Sequence, residues 1–220
     1  METSLHRQLK EHYADDVAAT EVRLGRFRID VVVGDELIEI QHGSLAAIRG
    51  KVKTLLKKHR VRVVKPIVAR KHLVQRSAKG RRVVSRRLSP KRGTILHLFQ
   101  DLVYFCRVFP HPNLTLEVPL VEIEEWRFPG HGRRRWRRSK DFQVEDQKLV
   151  GLQATHVFHQ ASDLWKLVPQ PLPDPFHTQH LATSLQVDRL LARQVAYSLR
   201  EVGAIEQVGK QGNALLYRAA

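Results

Sequence analysis

Leu5, Leu9 and Tyr13 recur four residues apart in SLHRQLKEHYA, a spacing that keeps apolar side chains on one helical face. RIDVVV and ELIEIQ follow, both dense in β-branched residues and joined at Gly34-Asp35, a hairpin-type turn. In the second segment Ile38 and Ile40 alternate with Glu39 and Gln41, so the two polar residues share one strand face. Ser44 suits an N-cap, and beyond it Leu45, Ile48, Val52, Leu55 and Leu56 return to helical spacing. VRVVKPIVA predicts a short strand stopped at Pro66. Helix, two or three strands, helix and strand predict a compact α/β unit over residues 1–70.

The rest is more punctuated. Residues 71–167 are predicted as a basic extension of that unit. It holds a hairpin over 72–88 turning at Ala78-Lys79-Gly80, an apolar helix from Thr94 through TILHLFQDLVYFCRVF, and a strand LTLEVPLVEIEEWRF. Pro119 assigns that strand an edge or a bulge, and RRRWRRSKDF is predicted to form an exposed hairpin. VPQPLPDPF over 168–176 reads as a linker. Residues 177–220 run helix, turn, helix, a stop at Gly203, and a hairpin, the layout of a winged helix-turn-helix. Ala192, Val195, Ala196, Leu199 and Val202 form the expected inner stripe of the longer helix. Arg189, Arg193, Gln194, Ser198 and Arg200 form the expected outer face.

Charge changes the picture. Lys and Arg number 38 against 22 acids, a net of +16. Such a field attracts polyanions and releases counterions from a phosphate backbone. It is concentrated in residues 70–92, which hold no acid, and in RRRWRRSK at 133–140. A single basic run also suits a solvated surface, whereas two runs plus the global excess point to nucleic acid. No apolar run approaches the ~18–20 residues of a membrane span. The charged start, METSLHRQLKEHYADD, lacks the apolar stretch of a signal peptide. With the lone Cys106, set among apolar neighbours as a buried thiol, this leads to an expectation of a cytoplasmic protein with no membrane partner. No phosphate-binding glycine fingerprint is present. His156–His159 and His177–His180 have spacings usable for zinc, but one cysteine and no second paired motif argue against a structural zinc site.

The chemistry-bearing constellation lies in RFRIDVVVGDELIEIQ. The Gly34-Asp35 turn brings Asp30 near Glu39 across two strands. Two carboxylates converging there repel and desolvate badly unless a cation or a solvent opening compensates. Oxygen ligands suit Mg²⁺ or Mn²⁺, with the Ile40 carbonyl as a third protein ligand. A solvent-facing sheet edge is the plainer alternative.

Asp30, eight intervening residues and then Glu39-Ile40-Gln41 before a helix resembles the PD-(D/E)XK nuclease superfamily, in the version with Gln in the lysine position. Glu2, His6 and Lys10 in E-x-x-x-H-x-x-x-K, with Glu21 and Arg28-x-Asp30, make the series similar to the nuclease-like domain of CoiA-type competence proteins. It is also similar to uncharacterised bacterial proteins carrying an EIQ motif. This covers about residues 1–70 and implies a restriction-endonuclease-like α/β (α+β) core with a mixed sheet flanked by helices. A nuclease core followed by a winged helix is further similar to the end-cleaving subunit of some heteromeric transposases.

The resemblance implies metal-assisted phosphodiester hydrolysis, in DNA rather than RNA. Asp30, Glu39 and the Ile40 carbonyl would hold the ion, and Glu2 or Glu21 would complete the shell. Gln41 would orient by hydrogen bonding where a lysine would bring charge, leaving Lys51 or Lys53 to supply the cation. His6, Lys10, Arg133, Arg134, Arg135, Arg137, Arg138, Arg189 and Arg193 are the expected nucleic-acid contacts, and Trp136 a candidate for base stacking. The rival expectations are a non-catalytic DNA-binding protein with a vestigial site, and an interaction module whose winged helix binds a protein partner.

Overall fold

The computed structural model describes residues 3–14, 18–130 and 142–220. Glu2, the arginine run 133–138 and Trp136 lie outside the described residues. The alternation in LTLEVPLVEIEEWRF becomes the axis of a mixed sheet. This strand, β7 (Leu114–Pro129), bonds antiparallel to β8 (Phe142–Phe158). It also pairs in parallel with β4 (Arg60–Val64) and then β5 (Ile67–Arg76). Val64 lies opposite Glu117 and Ile67 opposite Leu120, an unchanged offset that places β4 and β5 end to end. Pro66 is therefore level with Pro119, and both fall between the two ladders, where neither ring breaks a rung of β4 or β5. Of the edge or bulge expected at Pro119, the edge is corrected, since the residue sits mid-strand in the centre of the sheet, and the bulge fits the register shift next to it at Leu120/Val121.

β3 (Glu36–Ile40) runs parallel to β4, while β2 (Phe27–Val33) and β1 (Ala19–Leu24) continue antiparallel outward. At the other end β6 (Val83–Leu88) pairs antiparallel with β5. The fold is thus α+β, a mixed multi-strand sheet flanked by helices.

Each sheet face is covered for a reason visible in the strands. Side chains alternate sides, and α1 (Ser4–Tyr13), capped by the Thr3 hydroxyl, lays Leu5 and Leu9 on Val31, Ile38, Ile40 and Val64. Beneath its end, Arg62 Nη1 donates to Glu117 Oε2 at 2.6 Å while the Tyr13 hydroxyl donates to Glu117 Oε1 at 2.6 Å. The opposite face meets α2 (Arg49–Leu55) and α3 (Leu98–Leu102) through Ile29, Leu37, Val61 and Val63. The helix expected from TILHLFQDLVYFCRVF is short, and turns continue it to Phe109. Phe99, Phe105 and Phe109 are all fully buried, so burial on several sides sets its path. Cys106 is buried, and burial pushes its thiol up to about 11.

After α4 (Ala161–Trp165), the C-terminal part is α5 (Thr178–Leu185), α6 (Arg189–Glu201) and the hairpin β9 (Ile205–Gln211) and β10 (Ala214–Ala219). The expected inner stripe of α6 is buried, and it belongs to the same core as Phe99, Leu102 and Phe105. The proline-rich segment 168–176 therefore joins two parts of one hydrophobic core. Ser198, expected on the outer face, is fully buried, a correction explained by Cys106, in the turns after α3, lying against the Ser198 carbonyl. His177 and His180 are used in capping α5: His177 Nδ1 accepts from Gln179 N at 3.2 Å and His180 Nδ1 from His177 N at 3.3 Å. Their spacing reflects that cap. Among the described residues no helix is long and apolar enough to cross a membrane.

A shared core predicts shared cooperativity. Leu199→Ala should lower stability by about 2–5 kcal/mol and move a single denaturant transition, seen identically by tryptophan fluorescence and far-UV circular dichroism. Two transitions, only one of them displaced, would contradict a common core.

Candidate active site

The site forms where pairing among three strands is interrupted. β1 and β2 pair at Thr20–Val31 and again at Val22–Ile29, but not at the rung between, which holds Glu21 and Asp30. β2 and β3 pair up to Val31–Ile38, and the next rung would join Asp30 to Glu39. Instead, Asp30 Oδ2 accepts the backbone N–H of Ile40 at 2.8 Å. The carboxylate thus replaces a ladder carbonyl. Glu21 adopts φ +58°, a left-handed conformation that costs of order 1–3 kcal/mol for an ordinary residue.

Helices on both faces supply the surroundings. From α1, His6 Nε2 stands 3.3 Å from Asp30 Oδ1. One turn on, buried Lys10 pairs with Glu21, which also pairs with Arg28. From α2, Lys51 Nζ lies 2.5 Å from Glu39 Oε1 and also donates to the Arg28 carbonyl. Lys53, two residues further, is exposed and has no ion pair among the described residues. Gln41 N donates to Val64 O at 2.8 Å, and its side-chain Nε2 donates to Ser44 O at 2.9 Å. Gln41 thereby braces the loop after β3.

Buried Lys65 braces the same loop from below. Its ammonium pairs with Asp101 at 2.9 Å and donates to the carbonyls of His42 and Gly43, while Asp101 accepts the N–H of Leu45 at 3.3 Å. His42 Nε2 is buried without a hydrogen-bond partner among the described residues. Its pKa is lowered, first by burial and then by the charges of Lys65, Lys71 and His6. Nothing in the sequence pattern distinguishes Lys65, Asp101 or His42, because the contacts joining them depend on the placement of α3.

The two carboxylates differ electrostatically. Burial pushes the Glu39 carboxyl up to about 7; Lys51 opposes the shift and the charge of Asp30 adds to it. Burial also pushes Asp30 up, but the bonds from His6 and Ile40 N outweigh it and leave Asp30 below its ordinary value. Beside them opens a cleft of about 490 Å³ lined by Thr3, His6, Glu21, Arg28, Ile40, Gln41, His42 and Gly43. Among the described residues no group of three or more His, Cys, Asp or Glu side chains is arranged to hold a metal ion. The groups that could face an ion here are the carboxylates of Asp30 and Glu39 and the Ile40 carbonyl. Hard oxygen donors of this kind would suit an ion that keeps several waters, although Glu39 Oε1 already has the Lys51 ammonium as its partner. Arg189 and Arg193 are elsewhere, exposed on α6; Arg193, Tyr197 and Arg200 border a second cleft against the C-terminal hairpin.

A family model described as Domain of unknown function (DUF8091) matches residues 3–159, which takes in the sheet and this cleft. An uncharacterized protein of Treponema pallidum (strain Nichols) is 28% identical over 220 residues, covering 99% of this chain and 85% of the relative. No solved structure matches.

The Glu39 shift makes stability depend on pH with a definite sign. A carboxyl whose folded pKa is raised from 4.5 to about 7 contributes stability that is complete below pH 4.5 and is lost as pH rises through about 7. Glu39→Gln does not titrate. Its stability relative to the unsubstituted protein should therefore climb between pH 4.5 and 7.5 by on the order of 2 kcal/mol, whatever the offset at low pH. Denaturant midpoints of both proteins across that range test this, and a constant difference would contradict it.

Proposed function

This chain belongs to the family of the domain of unknown function DUF8091, and from its cleft we propose that it is a Mg²⁺- or Mn²⁺-dependent nuclease acting on DNA. The observation that carries the reading is the meeting of Asp30 and buried Glu39 at the opened rung, between a histidine and a lysine from opposite helices. A restriction-endonuclease-like core is supported by α1 preceding the β1–β3 strands and by α2 crossing between parallel β3 and β4. A winged-helix reading of 177–220 is supported by the order α5, α6, hairpin.

Asp30, Glu39 and the Ile40 carbonyl would hold the ion, which supplies Lewis-acid polarisation of the phosphoryl oxygen and a more acidic bound water. The remaining work falls to the chain's own groups. His6 holds Asp30 in place through its hydrogen bond. Lys51 brings to Glu39 the positive charge that neutral Gln41 cannot, and on this reading it would supply the cation for the scissile phosphate. Arg28 lines the cleft mouth as a phosphate contact, and Lys10 balances Glu21 behind it. Arg189 and Arg193 would contact the backbone of bound DNA.

One observation favours a second reading, a DNA-binding protein without turnover. Glu39 is already compensated by Lys51, so the pair also satisfies itself without an ion.

Plasmid cleavage in Mn²⁺ separates the two. The wild-type chain should nick supercoiled DNA, the Asp30→Ala/Glu39→Ala variant at least 100-fold more slowly, and Lys51→Met at least tenfold more slowly. Equal nicking by wild type and double variant would be contamination and would end the nuclease reading.

A further inference from the structure

Residues 77–88, the turn after β5 and all of β6, form twelve consecutive exposed positions. They carry Lys79, Arg81, Arg82, Arg86 and Arg87 and no acid. Most cations nearer the sheet centre are neutralised by strands β7 and β8. Lys71 pairs with Glu125 at 2.6 Å, Arg76 with Glu145 at 3.3 Å, and Arg86 with Glu124 at 2.9 Å. Lys79, Arg81, Arg82 and Arg87 form no ion pair among the described residues, so uncompensated positive charge lies along the turn and outer strand.

Trp126 makes the root of this arm rigid. Arg76, Lys148 and Arg86 stand 4.6, 4.8 and 5.5 Å from its ring, and its Nε1 donates to Glu124 at 2.9 Å. These contacts tie β5, β6 and β8 to β7 through cation–π attraction.

The arm also has a defined reach. Glu39 lies opposite Val63, which lies opposite Leu116, while the arm root at Gln75 lies opposite Arg127. From Leu116 to Arg127 along one strand, at ~3.3 Å per residue, is about 36 Å. One turn of duplex DNA is about 34–36 Å.

We propose that the turn and β6 bind the phosphate backbone of a nucleic-acid duplex about one helical turn from the Asp30–Glu39 cleft. The distance rests on the cleft being where a phosphodiester sits; the duplex contact itself does not. A duplex fits better than a single strand, because Trp126 is engaged by cations and the twelve-residue segment offers no aromatic ring for base stacking. It also fits better than another protein strand. Val83 and Val84 are exposed, but charged side chains along an edge disfavour strand addition.

The test measures binding of 8- and 18-base-pair duplexes in EDTA by fluorescence anisotropy. It compares the wild-type chain, the Asp30→Ala/Glu39→Ala variant, and a Lys79→Gln/Arg81→Gln/Arg82→Gln/Arg87→Gln variant. The four glutamines replace exposed side chains with no ion pair among the described residues, and an unchanged thermal melt verifies the fold. The longer duplex should bind the wild type at least tenfold more tightly than the shorter one. The four-glutamine variant should lose that gain, with its salt slope reduced by about 0.9 for each phosphate contact removed. Wild-type affinity and salt slope retained in that variant would overturn the proposal. So would a single strand bound as tightly through the same residues, self-association in place of DNA binding, or no DNA binding at all. The carboxylate variant should bind like the wild type. Cleavage that fails while this binding pattern holds would sink the nuclease reading and leave the arm's role standing.

Discussion

The hydrogen bond from Ile40 N to Asp30 Oδ2 is the constraint on which the candidate site depends. A buried peptide N–H must find an acceptor, and here a side chain supplies it in place of the neighbouring strand. β2 is then free to part from β3 one rung early. Glu39, on the side of β3 facing α2, is left beside Asp30 rather than beneath a continuous ladder. His6 and Lys51 come from helices on opposite faces of the sheet, and they can converge only because the strands open between them.

The electrostatics follow from the same architecture. A chain with a net charge of +16 folds by spending its acids in the interior of the sheet. Glu117 anchors Arg62 and Tyr13, Glu125 anchors Lys71, and Asp101 anchors Lys65 beneath the loop that carries Gln41. Buried carboxylates need such partners, since a lone charge there would be strongly penalised. Among the described residues, cations left without carboxylates lie at the periphery, several of them at the end of β5–β6. The internal charges set shape, and the peripheral ones set the field a polyanion meets.

Elements whose apolar residues repeat with a clear period were legible in the sequence. The α1 stripe, the Gly34-Asp35 turn, the buried face of α6 and the turn near Gly80 all occur where the pattern placed them. β8 was not legible. Most of its side chains are exposed or half-buried, so it carries no periodic apolar signal, and it is a strand because β7 offers it a ladder. Of the two positions expected for Pro119, only the edge failed: a register shift does follow it, and a proline forbids a ladder donor only where a partner needs one, a need that the gap between β4 and β5 removes. Ser198 lies within the polar pattern of α6, yet is buried, with Cys106, a residue 92 positions earlier, against its carbonyl.

Local chemistry thus decided a good deal. Spacing along the strands dictated that Asp30 and Glu39 could meet, and composition dictated a basic exterior. Which groups neutralise those carboxylates, how deeply Glu39 is buried, and which cations remain unpaired were decided by tertiary structure alone. Desolvation and charge pairing act through space, between residues such as Lys65 and Asp101 that no local periodicity connects.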